Sequence, residues 1–228
     1  MPVDLGYFDT VSRPILPLIF VVDVSGSMSG TRLDSVNTQI QSFLNNQKQL
    51  HRPDYLVMVN ILQFNTGSEW MYPELIKIDE FQYISLHAGG LSNLGAALIE
   101  LNKKFTREEF IKYNSRICNP CVFFITDGEA IDSWQEPLAL INQNKWYQNS
   151  IKIAFLFGDN ANEDTMAKIV GNKEAILKMD EFNAILDMLF RSPIPRPKPK
   201  IIDKNFVESD VQFITPNNND DDWEDDIW

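Results

Sequence analysis

An α/β fold with a doubly wound, mostly parallel central sheet is what this sequence predicts, on three observations. Apolar runs with little polar interruption recur at residues 18–22, 122–125 and 151–157, as expected of strands buried on both faces. Between them lie segments whose apolar residues recur with the spacing of a helix packed by one face. The two kinds of segment alternate along the chain, the order that right-handed crossovers produce. With 228 residues, 44% of them hydrophobic, the chain suffices for one sizeable core plus an appendage.

The first strand runs to Val22, where the chain turns abruptly polar at Asp23-Val24-Ser25-Gly26-Ser27. After Gly30, the residues Leu33, Val36, Ile40, Phe43, Leu44 and Leu50 give a helix one apolar face. Pro53 and Asp54 mark a turn, and residues 55–64 read as the second strand. Asn65-Thr66-Gly67-Ser68 is a hairpin-type connection to a weaker strand across residues 69–78, the one antiparallel edge strand. Beyond Gly89-Gly90, Leu94, Ala97, Leu98, Leu101 and Phe105 mark a second helix, with Ser92 or Asn93 as its N-cap. The alternation continues with a buried strand at 122–126, a helix over 132–146 capped by Asp132, and a strand at 151–157. A short helix over 163–170, a last strand at 174–178, and a final helix facing inward through Phe182, Ile185, Leu186 and Leu189 complete the pattern. Residues 1–191 therefore read as one domain with helices on both faces of the sheet.

Pro193, Pro195, Pro197 and Pro199 cannot continue that helix, so residues 192–200 form a linker that favours an extended polyproline path. Residues 201–228 are too charged to build a core by themselves and read as an acidic tail, disordered or docked on a partner. Its Trp223 and Trp228, set among Asp and Glu, are candidate docking anchors. The formal charge of −12 argues against nucleic acid and anionic membranes, which recruit Lys and Arg clusters. No basic leader opens the chain, and the run at residues 15–22 is far shorter than the roughly 20 residues that span a bilayer. A soluble, cytoplasmic protein is expected. Cys118 and Cys121 lead into a strand rather than a helix N-terminus, and two thiols cannot complete a four-cysteine zinc site, so they read as structural.

Chemistry concentrates in three loops. In an open α/β sheet, ligands gather beyond the carboxyl ends of the strands, where strand order reverses. There the sequence offers Asp23, Ser25 and Ser27, then Gly89-Gly90-Leu91-Ser92-Asn93, then Thr126-Asp127-Gly128-Glu129. Carboxylates and hydroxyls without sulfur or imidazole favour a hard ion, Mg²⁺ first, with Mn²⁺ and Ca²⁺ as alternatives. Each residue alone has a plainer reading: Ser25 and Ser27 as helix caps, Asp23 and Asp127 as solvated strand ends. Their joint occurrence makes the metal site the stronger reading. Asn65 and Glu129 border the site as partner-selecting rim residues or ordinary loop residues, and His87 reads as packed or solvated.

These residues resemble the von Willebrand factor A domain and its metal-ion-dependent adhesion site. Asp23-x-Ser25-x-Ser27 fits the family's Asp-x-Ser-x-Ser, Asp127 in Thr-Asp-Gly fits the distal aspartate, and Ser92 stands where the family usually carries Thr, keeping a hydroxyl. The resemblance covers about residues 13–190. With Gly-Gly-Leu-Ser-Asn-Leu-Gly-Ala-Ala-Leu from residue 89 it looks most like the intracellular TerY-type branch associated with tellurium-resistance and stress gene clusters. The resemblance implies a Rossmann-like fold, with Ser25, Ser27 and Ser92 coordinating Mg²⁺ directly or nearly so and Asp23 and Asp127 acting largely through water. It also implies a protein partner that supplies a carboxylate to the open position, and kinase or phosphatase partners in a signalling or stress-response complex.

The competing class is a Mg²⁺-dependent phosphotransferase or phosphatase with Asp23 as nucleophile. That chemistry usually takes a second Asp two residues on, where this chain has Ser25, and a Lys clamp that is not evident. His51 and His87 give no credible nucleophilic triad, so a non-enzymatic binding module is expected. Two roles for the tail remain open: docking on a basic partner groove, or placing a tail carboxylate on the metal. A chain truncated after Lys200 separates them. Partner affinity measured by pull-down is lost if the tail docks, whereas access of small carboxylates to the metal rises if the tail caps it.

Overall fold

The computed structural model describes residues 13–49, 54–106, 109, 117–158 and 161–191. Leu50, Pro53, the linker at 192–200 and the tail with Trp223 and Trp228 lie outside the described residues. The strands are β1 (Ile15–Asp23), β2 (Leu56–Phe64), β3 (Ser68–Trp70), β4 (Ile76–Lys77), β5 (Cys121–Thr126), β6 (Ile151–Leu156) and β7 (Ile176–Lys178). The helices are α1 (Thr31–Lys48), α2 (Leu94–Lys104), α3 (Gln135–Ile141), α4 (Lys145–Gln148), α5 (Glu163–Val170) and α6 (Phe182–Arg191).

The seven strands form one mixed α/β, Rossmann-like sheet in the order β3-β2-β1-β5-β6-β7, with β4 also on β2. β1 pairs parallel with β2 on one side and with β5 on the other, so strand order reverses between β1 and β5. The register places Val22 beside Ile125 and Asp23 beside Phe64. The carboxyl ends of these strands therefore open at one level, where ligands gather in such sheets.

Successive β1 residues serve opposite cores, because side chains alternate across a strand. Leu16, Leu18, Phe20 and Val22 pack with α1 and α6 through Val36, Ile40, Phe43, Phe182 and Leu186. Ile15, Ile19 and Val21 pack with α2, α4 and α5 through Ala97, Leu98, Leu101, Tyr147 and Met166. The first layer is aromatic: Phe20 lies 5.5 Å from Phe123 and 6.1 Å from both Phe43 and Phe182, centroid to centroid.

Three elements depart from the expected pattern. The single edge strand over 69–78 is divided into β3 and β4, both antiparallel to β2. The cause is Asn60, wholly buried in β2: its amide donates to the carbonyls of Tyr72 and Glu74 and accepts from the amides of Ile61 and Tyr72, replacing the ladder between the two segments. The helix over 132–146 is two helices, with Asn144 capping α4 by accepting from Trp146 N and donating to Phe105 O. Asp132 precedes both and accepts instead from Ala96 N in the first turn of α2. Finally, Asn93 holds the N-cap position of α2, but its side chain donates to the Thr66 carbonyl and Ser92 points elsewhere.

Cys118 and Cys121 are buried, and burial pushes the Cys121 thiol up to about 12. A thiol held protonated is a packing group rather than a nucleophile. Among the described residues no helix is long and apolar enough to cross a membrane.

Phe20 joins β5 to α1 and α6, the helices that cover its face of the sheet. Phe20→Ala is expected to cost about 3–5 kcal/mol of unfolding free energy, measured by urea denaturation; a cost below about 1 kcal/mol would mean that the aromatic layer does not hold this face of the sheet together.

Candidate functional site

Asp23 ends β1 and is fully buried. Its Oδ1 accepts from Ser25 N at 2.9 Å, and its Oδ2 accepts from Thr126 Oγ1 at 2.7 Å and Ser92 Oγ at 3.0 Å. One carboxylate thus collects donors from all three loops named by the sequence. Ser25 and Ser27 follow on a short 3₁₀ turn, Gly26–Met28, with their hydroxyls 3.0 Å apart. Neither caps a helix: Gly30 holds the N-cap position of α1 and no side-chain cap is made at either start. Ser25 is buried and Ser27 exposed.

The backbone fixes the loops to one another. Gly89 N donates to Val24 O and Gly26 N to Gly90 O. Leu91 N donates to Thr66 Oγ1, and Asn93 N to Asn65 O. Gly90 has φ of +79°, and a Cβ there would stand 2.6 Å from Thr66 Oγ1, so only glycine lets the second loop close on the β2–β3 turn. On the far side, Ile131 N donates to Ser92 O and ties the third loop to the second.

Asp127 lies just past β5, almost buried, with Oδ1 accepting from Glu129 N at 3.2 Å. Its Oδ2 lies 3.3 Å from the Arg32 guanidinium, whose Nη1 also donates to Ser27 O at 3.2 Å. All five oxygen-bearing residues, Asp23, Ser25, Ser27, Ser92 and Asp127, therefore belong to one connected network.

Asn65 accepts from Gly67 N within its own turn, which accounts for it structurally, while Glu129 is exposed at the rim. His87 is exposed and lines, with Asn65, Trp70 and Ile84, a cleft of about 730 Å³ beside the site. Leu91 and Ile131, 55% and 61% exposed, give the rim apolar contact area that the sequence reading did not assign. Thr126 and Arg32 were also missed as site residues. Thr126 had only its place in Thr-Asp-Gly to mark it; Arg32 is marked by being a cation in the first turn of a helix, against the helix dipole.

Burial holds the Asp23 carboxyl above its ordinary 3.8, against the pull of the Ser25, Thr126 and Ser92 hydrogen bonds. Among the described residues no three His, Cys, Asp or Glu gather, so any metal held here takes hydroxyl oxygens beside its two carboxylates. A buried carboxylate with three hydroxyls and a second carboxylate is a hard-donor set that suits a small divalent cation, and the residues fit one.

Residues 18–129 match the profile of the von Willebrand factor type A domain. No curated protein sequence matches the chain. Among solved structures it is similar to a von Willebrand factor type A protein from Catenulispora acidiphila (15% identity, TM-score 0.53, 78% of this chain and 42% of that one). It is also similar to the ArnB paralog VWA2 from Sulfolobus acidocaldarius (15%, TM-score 0.55, 76% and 44%). A third is proximal thread matrix protein 1 from the mussel byssus, solved with a zinc-occupied MIDAS motif (14%, TM-score 0.54, 78% and 46%). At these identities the likeness concerns the fold, and the chain spans less than half the length of each of the three.

Asp23 binds its proton more readily folded than unfolded. In metal-free protein its contribution to stability is therefore full below the unfolded value, near 3.8, and is lost as pH rises through the raised folded value. Denaturant titration in EDTA from about pH 3 to about pH 8 should show Asp23→Asn gaining stability relative to wild type as pH rises. A difference that does not change with pH would contradict this.

Proposed function

We propose that this chain, whose residues 18–129 match the profile of the von Willebrand factor type A domain, is a metal-ion-dependent protein-interaction module that acts as an adaptor or regulator. The observation that carries the reading is the convergence on Asp23 of donors from three loops at the switch point of the sheet. Asp23, Ser25, Ser27, Ser92 and Asp127 would hold the cation. The hard donors point to Mg²⁺, with Mn²⁺ and Ca²⁺ as alternatives; the zinc-occupied motif of the mussel protein supports a divalent ion at this end of the fold. When bound, the cation supplies a Lewis-acidic position that an Asp or Glu carboxylate of a protein partner completes.

The chain's own residues do the rest of the binding. Glu129 at the rim disfavours acidic partner surfaces away from the central carboxylate, and Leu91 and Ile131 offer apolar contact on either side of Ser92. The backbone hydrogen bonds between loops hold this face rigid, which lowers the ordering cost of association.

A binding role is favoured over phosphoryl transfer from Asp23 by the state of that carboxylate. Both its oxygens already accept hydrogen bonds and the residue has no exposed surface, which disfavours in-line approach of a substrate phosphorus. The finer assignment, a cytoplasmic TerY-type component of a tellurium-resistance or stress-response complex with a kinase or phosphatase, rests on the order and spacing of the motifs together with the run from Gly89 to Leu98.

Affinity capture on immobilised protein tests the reading. Partners retained in Mg²⁺ are expected to be released by EDTA, and Asp127→Ala or Ser25→Ala should lose them while keeping wild-type circular dichroism. Capture indifferent to EDTA and to both substitutions would refute metal-mediated binding.

A further inference from the structure

Arg32 is the residue at this site that neither the fold nor the donor set requires. It is the second residue of α1, where the positive end of the helix dipole disfavours a cation. Its position there is explained by what the guanidinium touches. Nη1 donates to Ser27 O at 3.2 Å and lies 3.3 Å from Asp127 Oδ2, so it bridges the first loop to the third. Gly158, just after β6, lies on its other side: a Cβ there would stand 3.2 Å from Nη2. The guanidinium is seated among three segments of chain, and one of them presents a carboxylate that the proposed function gives to the metal.

The two partners differ in their freedom. The Arg32 side chain is 40% exposed and carries a long flexible stem, whereas Asp127 is 6% exposed and its other oxygen is engaged by Glu129 N. Asp127 is fixed; Arg32 can leave. We propose that Arg32 is an internal competitor for the divalent cation, paired with Asp127 in the metal-free domain and displaced from Oδ2 when the cation loads, so that it sets the affinity of the site. This rests on the reading that the site binds a metal. The pairing neutralises one of only two carboxylates among the five residues, so every loading event must first give up that ion pair. The same bond keeps the first and third loops joined when no metal does so.

Isothermal titration of the metal-free protein with Mn²⁺ and with Mg²⁺ tests this, using wild type, Arg32→Gln, Arg32→Lys and Ser25→Ala, with thermal melts in EDTA and in saturating metal. Arg32→Gln should bind both ions roughly tenfold more tightly, the scale expected from removing one half-exposed charge beside the site. It should melt earlier than wild type in EDTA and together with it in saturating metal. Arg32→Lys, which keeps the charge and loses the planar fork, should fall between them and covers the case in which the Gln variant folds poorly. Equal or weaker binding by both Arg32 variants, with binding still abolished by Ser25→Ala, would overturn the competitor role and leave the metal site standing. No binding by wild type and Arg32 variants alike would overturn both.

Discussion

The structure of this face depends on the burial of one carboxylate. Asp23 has no exposed surface, and a charge there is costly unless donors or a cation meet it. Three donors do so, one from its own turn, one from Ser92 and one from Thr126, and each belongs to a different loop. Satisfying Asp23 therefore assembles the site: the hydrogen bonds that offset its desolvation also set where Ser25, Ser92 and the start of the third loop must stand. Its carboxyl nevertheless stays above the ordinary range, so the donors fall short of what water would supply. The divalent cation proposed above would make up that shortfall.

What makes the arrangement rigid lies beneath it. β1 is buried on both faces and hydrogen-bonded on both edges, by β2 and by β5. Its alternating side chains are held by α1 and α6 on one face and by α2, α4 and α5 on the other. The strand end that carries Asp23 thus cannot shift without disturbing two cores and two ladders. A site whose oxygens act only at well-defined spacing needs such a support. The loops, in contrast, are tied mainly by backbone hydrogen bonds such as Gly89 N to Val24 O and Gly26 N to Gly90 O, which tolerate exchange of the rim side chains. This division lets one fold present different rims over the same oxygen set.

The rim itself combines opposite tendencies. Glu129 is exposed and acidic, while Leu91 and Ile131 are exposed and apolar. Over the cation proposed above, such a mixture would favour a partner carboxylate set among apolar neighbours rather than a broadly acidic surface. The cleft lined by Val24, Asn65, Trp70, Ile84 and His87 lies beside the first loop.

Much of the fold was legible because burial on both faces imposes a one-dimensional signature: continuous apolar strands, one-faced helices and their alternation. The oxygen-bearing residues of the candidate site were legible for a related reason, since polar residues ending a buried run stand out against it. The errors share one physical cause. Asn60 divides the edge strand through backbone groups of residues 72 and 74, Asp132 serves a helix that begins 38 residues before it, and Thr126 reaches Asp23 across 103 positions. Arg32 meets Asp127 across 95. Periodicity and spacing report what a residue does to its own segment. By itself the sequence determined the strands, the helix faces and which oxygens lie at the strand ends. Only the tertiary structure decided which of those oxygens are already engaged, because hydrogen bonds and ion pairs form between atoms that the crossovers bring together.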